Sequence, residues 1–230
     1  MAVVNLLGDS IIDNKIYVGP HELSVSEHLY NLTDDIINSL AVDGHTTQDV
    51  LNVQLNNLPR YSTHQVLSIG GNDLLQKIFF LQNNERFTAN ENLEQLYTIM
   101  APIKRRYRTI VENLSQQNSR ILLCTVYEGD LLNDPLLCDI ALSSKAMVSM
   151  LNDIIYSISN AYDTDVLELR NIFTKPRDYA NPIEPSHIGG SKFALKIEVT
   201  DEDGNLCAVA TGNYVLRRNV AELTQASSDT

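Results

Sequence analysis

Three polar side chains stand where this chain could use them for chemistry: Ser10, Asn72 and His187. Ser10 ends the stretch Met1-Ala2-Val3-Val4-Asn5-Leu6-Leu7-Gly8-Asp9-Ser10, in which an apolar run breaks at a glycine and delivers a hydroxyl. A short apolar run stopped by glycine reads as a buried strand of a parallel sheet. Ligands of such sheets sit beyond the carboxyl ends of the strands, which is where this reading puts Ser10. Asn72 follows a second run of the same kind, Gln65-Val66-Leu67-Ser68-Ile69, after Gly70-Gly71 and before Asp73. His187 closes Glu184-Pro185-Ser186-His187, which holds a carboxylate and an imidazole together. Taken singly, these features have ordinary structural readings. Asp9 and Ser10 are turn and helix-cap residues, Gly70-Gly71 fits a turn, and Asn72-Asp73 would cap a following helix.

Positioning these groups requires a scaffold, and the hydrophobic periodicity supplies one. Residues 11–24 carry Asp13, Asn14, Gly19 and Pro20 and read as loop. A helix over 26–32, capped by Ser24 or Ser26, leads to a second strand within 35–42 that stops at Asp43-Gly44. A helix over 48–56, capped by Thr46 or Thr47, precedes the third strand at 65–69. The strongest helical pattern spans 92–116, where Pro102 is expected to kink or divide the helix near Met100. A fourth strand over 121–126, an amphipathic helix over 143–159 and a fifth strand over 166–169 follow. Strands alternating with helices predict a single α/β domain, with a mainly parallel five-stranded sheet between helices. Residues 190–197 begin a final helix, closing a domain of residues 1–197. In the extension 198–230, Leu206–Ala210 and Tyr214–Leu216 suggest a β-hairpin before a polar, frayed tail.

Composition bounds the function classes. With 43% hydrophobic and 20% charged residues the chain is globular. A balance of 17 Lys+Arg against 29 Asp+Glu, net −12, argues against nucleic acid and anionic membranes as partners. Lys104, Arg105, Arg106 and Arg108 read as a solvated helix face. Cys124, Cys138 and Cys207 are too few and too widely spaced for a disulfide framework or a zinc site. The first apolar run is too short and lacks the basic leader of a signal peptide, and no run reaches a membrane span. The expectation is a soluble, cytoplasmic protein whose oligomeric state the sequence does not specify.

With the strands placed, four segments fall in order. Gly8-Asp9-Ser10 follows the first strand, Gly44 the second and Gly70-Gly71-Asn72-Asp73 the third, with Glu184-Pro185-Ser186-His187 after the fifth. This order resembles the SGNH (GDSL) hydrolase family, named for the Ser, Gly, Asn and His of its four blocks. The resemblance covers residues 1–197, and the G-x-N-D of the third block is its most specific element. It implies an SGNH-hydrolase-like sandwich that cleaves carboxylic esters, short-acyl or O-acetyl, without metal or organic cofactor. By the family pattern Ser10 is the nucleophile. The oxyanion hole is the Ser10 N–H, the Gly44 N–H and the Asn72 side chain. Asp9, Asp73, Gly70 and Gly71 support the loops that hold them. Gly44 by itself reads equally as a turn glycine at positive φ.

The fourth block admits two registers. Family members usually carry Asp-x-x-His, so the literal match makes His187 the base and Glu184 the group that orients it. The family histidine is commonly followed by proline and then glycine. Aligning on Pro185 and Gly189 instead puts Glu184 at the histidine position and Asn181 at the aspartate position. A glutamate of ordinary pKa, about 4.3, is a poor acceptor for a serine proton unless burial raises it. The literal register is the expected one, with His21, His45 or Glu184 as substitute bases. If the base is lost, the same fold would be a non-catalytic binding module, and the position of His187 relative to Ser10 separates the two. Acyl transfer on the same machinery is a third reading. Loops 11–24, 74–92 and 127–142 would set the acyl and alcohol specificity.

Overall fold

The computed structural model describes residues 1–82, 88–197, 199–200 and 206–208. Five strands form one sheet: β1 (Val3–Gly8), β2 (Ile36–Ser39), β3 (His64–Ser68), β4 (Arg120–Cys124) and β5 (Asp165–Leu167). All pairs are parallel, in the order β2-β1-β3-β4-β5. The chain goes from β1 to one neighbour and then crosses back to the other. The sheet therefore has its topological switch point between β1 and β3, where a crevice opens in open α/β sheets.

Alternation along the central strands builds a core on each face. Val4, Leu6, Val66 and Cys124 point to one side, with Val25 and Leu29 of α1 (Val25–Leu32) and Phe193 and Ala194 of α6 (His187–Ala194). Leu7, Leu67 and Leu123 point to the other. There they meet Tyr107 and Ile110 of α4 (Ala89–Leu114) and Leu151 and Ile155 of α5 (Ala141–Tyr162). Burial on both faces is why these strands read as near-continuous apolar runs. Ser24 caps α1 in a capping box with Glu27, as the sequence suggests.

Several elements differ from expectation. Strands β2, β4 and β5 are shorter than the apolar runs that announce them. Helix α4 runs through Pro102 as one element, and its packed face, from Met100 to Leu114, holds it across the missing hydrogen bond. Part of the stretch taken as loop, 74–92, is α3 (Gly71–Gln82). The helix expected at 48–56 is composite: α2 (Thr47–Asp49) continues as a π turn (Val50–Gln54) and a 3₁₀ turn (Leu55–Asn57). Beyond the sheet, β6 (Val199–Thr200) pairs antiparallel with β7 (Leu206–Ala208). The hairpin partner expected at Tyr214–Leu216 lies outside the described residues.

Among the described residues no helix is long and apolar enough to cross a membrane. Sequence inspection gave no sign that Asn152, on α5, holds the end of β4. It is buried, accepts from the Val126 N–H and donates to the Val126 carbonyl, both at 2.8 Å. Asn152→Ala would strand a buried backbone donor and acceptor at about 1–3 kcal/mol each. Urea unfolding should show a loss of about 2–5 kcal/mol. A change below about 0.5 kcal/mol would mean that water replaces the side chain.

Candidate active site

Ser10 lies just past the end of β1, in the switch-point crevice. Gly8 ends β1 at φ +149°, and a Cβ there would come within 2.0 Å of the Ser68 carbonyl oxygen. Only glycine lets the two strand ends approach this closely. Gln54 secures the same residue: it accepts from the Gly8 N–H at 2.9 Å and donates to the Gly8 carbonyl at 2.7 Å. Its amide also lies 3.0 Å from Nδ1 of His45.

The segment after β2 is tied to both neighbours. Val42 N–H donates to the Gly8 carbonyl, and the Asn72 amide donates to the His45 carbonyl at 3.0 Å. Buried Asp73 accepts from the Thr47 N–H and hydroxyl at 2.8 and 2.7 Å, and from Arg106 at 2.8 Å. Arg106 therefore departs from the solvated face assigned to its cluster. Its guanidinium is half-buried and locks α4 to the loops after β2 and β3. Gly44 sits at the tip of this segment at φ +79°, with open space where a side chain would be.

A cavity of about 70 Å³ opens beside Ser10. Its walls are largely apolar, with Leu74, Val126, Leu131, Met147, Val148 and Ile183 among them. Asp9, Ser10, Gly71, Asn72 and Glu184 form its polar side. Gly44 is not among the lining residues.

The fourth block is arranged in the second register. Tyr179 and Pro185 form an antiparallel bridge, and Asn181 Oδ1 accepts the N–H groups of Ile183 and Glu184, each at 2.9 Å. Asn14 Nδ2 donates to the Pro185 carbonyl at 3.0 Å, and the Tyr127 hydroxyl to the Ile183 carbonyl at 2.6 Å. These contacts bring Glu184 to the wall of the cavity that Ser10 also lines. The Glu184 Oε2 is buried and takes no hydrogen bond.

His187 is directed elsewhere, so the expected imidazole–serine pair, with Glu184 orienting the ring, is not formed. Ser186 caps α6, and His187, the first residue of that helix, faces α1. Its Nδ1 accepts the Leu23 N–H at 3.2 Å and lies 3.0 Å from Nε2 of His28, the two rings stacking at 4.6 Å. The sequence offers no signal for this partnership. Of the substitute bases, His21 is exposed and His45 is engaged with Gln54.

Two carboxyls here are shifted. Burial, with the nearby Asp43 charge, raises Glu184 to about 7 against the opposing Ser10 hydrogen bond. Burial also raises Asp9 to about 8, aided by Glu184 and Asp73, although Asp9 accepts the Ile11 N–H at 3.1 Å. Asp9 Oδ2 is buried without a partner. A carboxyl in that setting is more stable as the neutral acid near neutral pH.

No protein-family model matches the sequence, and no curated protein does. Solved structures do. A lipolytic protein of the G-D-S-L family from Veillonella parvula aligns over 83% of this chain and 93% of its own, at TM-score 0.56 and 14% identity. The chain has the SGNH (GDSL) hydrolase fold. An extracellular lipase from Streptomyces rimosus aligns over 84% of this SGNH-fold chain and 96% of its own, at TM-score 0.64 and 14% identity. An acetylxylan esterase from Geobacillus stearothermophilus gives TM-score 0.54 at 14% identity, over 84% of this chain and 90% of its own.

Asp9 generates a stability prediction. Its folded pKa lies above the ordinary 3.8, so between about pH 4 and 8 the native state binds more protons than the unfolded chain. Stability is therefore lost as pH rises through that window. Asparagine keeps the neutral geometry, so Asp9→Asn should melt with wild type below about pH 4 and progressively above it as pH rises to 9. A difference in Tm that does not change with pH would show that Asp9 ionises normally.

Proposed function

We propose that this chain hydrolyses carboxylic esters with a short acyl or acetyl group, and that Ser10 is the nucleophile. One observation carries the reading: Ser10 and the Glu184 carboxyl line one largely apolar cavity at the switch point. A cavity of about 70 Å³ is small beside the roughly 300–1,000 Å³ of drug-sized ligand sites, which fits an acetyl or short acyl chain. The lipase and esterase named among the structural neighbours favour ester chemistry on this fold.

In the proposed reaction Ser10 Oγ attacks the acyl carbon and the carbonyl electrons move onto oxygen. The Ser10 N–H and the Asn72 amide, both on the cavity wall, stabilise that oxyanion, with the Gly44 N–H as the third donor that the family resemblance implies. The Asn72 amide has two N–H bonds and spends one on His45, which leaves one for substrate. Asp73 acts at one remove, through Thr47 and Arg106, by holding the loop that carries Gly44. No metal or organic cofactor enters these steps.

The position of His187 would favour a binding module if Ser10 had no other acceptor. The presence of the Glu184 carboxyl on the same cavity wall as Ser10 is the observation that favours the enzyme.

Ser10→Ala should abolish both p-nitrophenyl acetate hydrolysis and labelling by a fluorophosphonate. Asn72→Ala should lower kcat about 10²–10³-fold, the effect of losing one oxyanion donor. Full activity in Ser10→Ala would remove the nucleophile from this site.

A further inference from the structure

We infer that Glu184 is the general base that activates Ser10, so that the reaction runs on a serine–glutamate pair with His187 outside it. This rests on Ser10 being the nucleophile and names the group that moves its proton.

The geometry points one way. Glu184 and Ser10 line the same cavity, and Glu184 Oε2 is buried there without a hydrogen-bond partner. The backbone on either side of Glu184 is pinned by Asn181, Asn14 and Tyr127, so its carboxyl is held toward the serine. His187 is not among the residues that line the cavity, and its Nδ1 is turned to the Leu23 N–H and to His28.

The electrostatic setting suits the role. A general base works best when its pKa lies near the working pH, since a weaker base gains little from the transfer and a stronger one is already protonated. An ordinary glutamate is too weak by more than two units. Glu184 is raised to about 7 by burial, close to the value of an imidazole. The titratable groups around it are Asp43 and Tyr17 from the loops after β2 and β1, Asp9 beside Ser10, and Tyr127 after β4. Tyr17 donates to Asp43 at 3.0 and 3.1 Å, and its phenol is pushed upward, so it remains a neutral donor. Asp9, raised to about 8, is mostly neutral at pH 7 and adds little negative charge against ionised Glu184.

The proton balance closes with one carboxylate. As Ser10 Oγ bonds to the acyl carbon, its proton passes to Glu184. The tetrahedral intermediate collapses by breaking the bond to the alkoxy oxygen, and the alcohol leaves with the proton from Glu184. Water then attacks the acyl-serine and gives a proton to the regenerated carboxylate. That proton returns to Oγ when the acid is released.

Two readouts in parallel test this: p-nitrophenyl acetate turnover, and the rate of fluorophosphonate labelling with the adduct located by mass spectrometry. Labelling reports the nucleophile without requiring the right ester. Both rates in wild type should rise tenfold per pH unit and level off above about pH 7. Glu184→Gln, nearly isosteric, should lose at least about 100-fold in both, the usual contribution of a positioned base. Glu184→Ala should recover part of its activity in sodium formate, which a purely structural role would not permit. His187→Ala, confirmed as folded by near-ultraviolet circular dichroism, should stay within about threefold of wild type, and His187→Asn guards against loss of the α1–α6 contact. If Glu184→Gln keeps the wild-type rates, or if both His187 variants lose them while folded, the pair is overturned and Ser10 stands. If Ser10→Ala is still labelled and still turns over, the hydrolase reading itself fails and the pair falls with it.

Discussion

The close approach of β1 and β3 at their carboxyl ends is the constraint on which the rest depends. Gly8 sits so near the Ser68 carbonyl that no side chain fits. Gln54 then grips Gly8 by both its N–H and its carbonyl, just before Asp9 and Ser10. Parallel strands need crossovers, and the crossover from β2 to β3 carries the Gln54 clamp, the Gly44 turn and the Thr47 anchor of Asp73. The packing that aligns the sheet thus also aligns the loops. A site gathered from segments far apart in the chain is held by backbone contacts on a rigid sheet end, which lowers the cost of ordering its donors.

Electrostatics in the crevice follow from what is missing around its acids. Asp73 is buried but meets Arg106, and Asp178 is buried but meets Lys192 at 2.6 Å. Asp9 and Glu184 are buried against apolar side chains, and burial is the main cause of both upward shifts. One sheet end therefore holds two kinds of carboxyl: paired ones that hold loops together, and solvent-starved ones whose proton is available near neutral pH. Burial without compensation costs stability, and chemical sites are where a fold commonly bears such a cost.

The two histidines on the α1–α6 face show how one turn of helix redirects a residue. Once Ser186 caps α6, His187 projects from the first turn toward α1 and pairs with His28. Burial and the neighbouring imidazole both hold the His28 pKa down. The pair fastens the helix that follows the fourth block, and Glu184, three residues earlier on the irregular segment, is left free to turn inward.

The sequence by itself determined the class of fold and the order of its parts, because two-sided burial writes parallel strands as apolar runs and amphipathic helices as a 3.6-residue period. Val3–Gly8 and the run ending in Ser68-Ile69 are legible in that way, and so are Ser10 and Asn72 just beyond them. It offered a helix after Gly70-Gly71 only as one reading of Asn72-Asp73, and it did not reveal that α4 continues past Pro102 as one element, packed from Met100 to Leu114. Nor did it reveal the Asn152 and Gln54 clamps, since a buried amide carries no local signature of the backbone it will meet. Only the tertiary structure places Glu184 on the cavity wall and turns His187 toward His28. Glu184 and His187 are three residues apart and equally able to take a proton when suitably placed. Which of them meets Ser10 depends on the cap at Ser186, the Asn181 turn and the pull of His28 across α1, and those contacts exist only once the chain is packed.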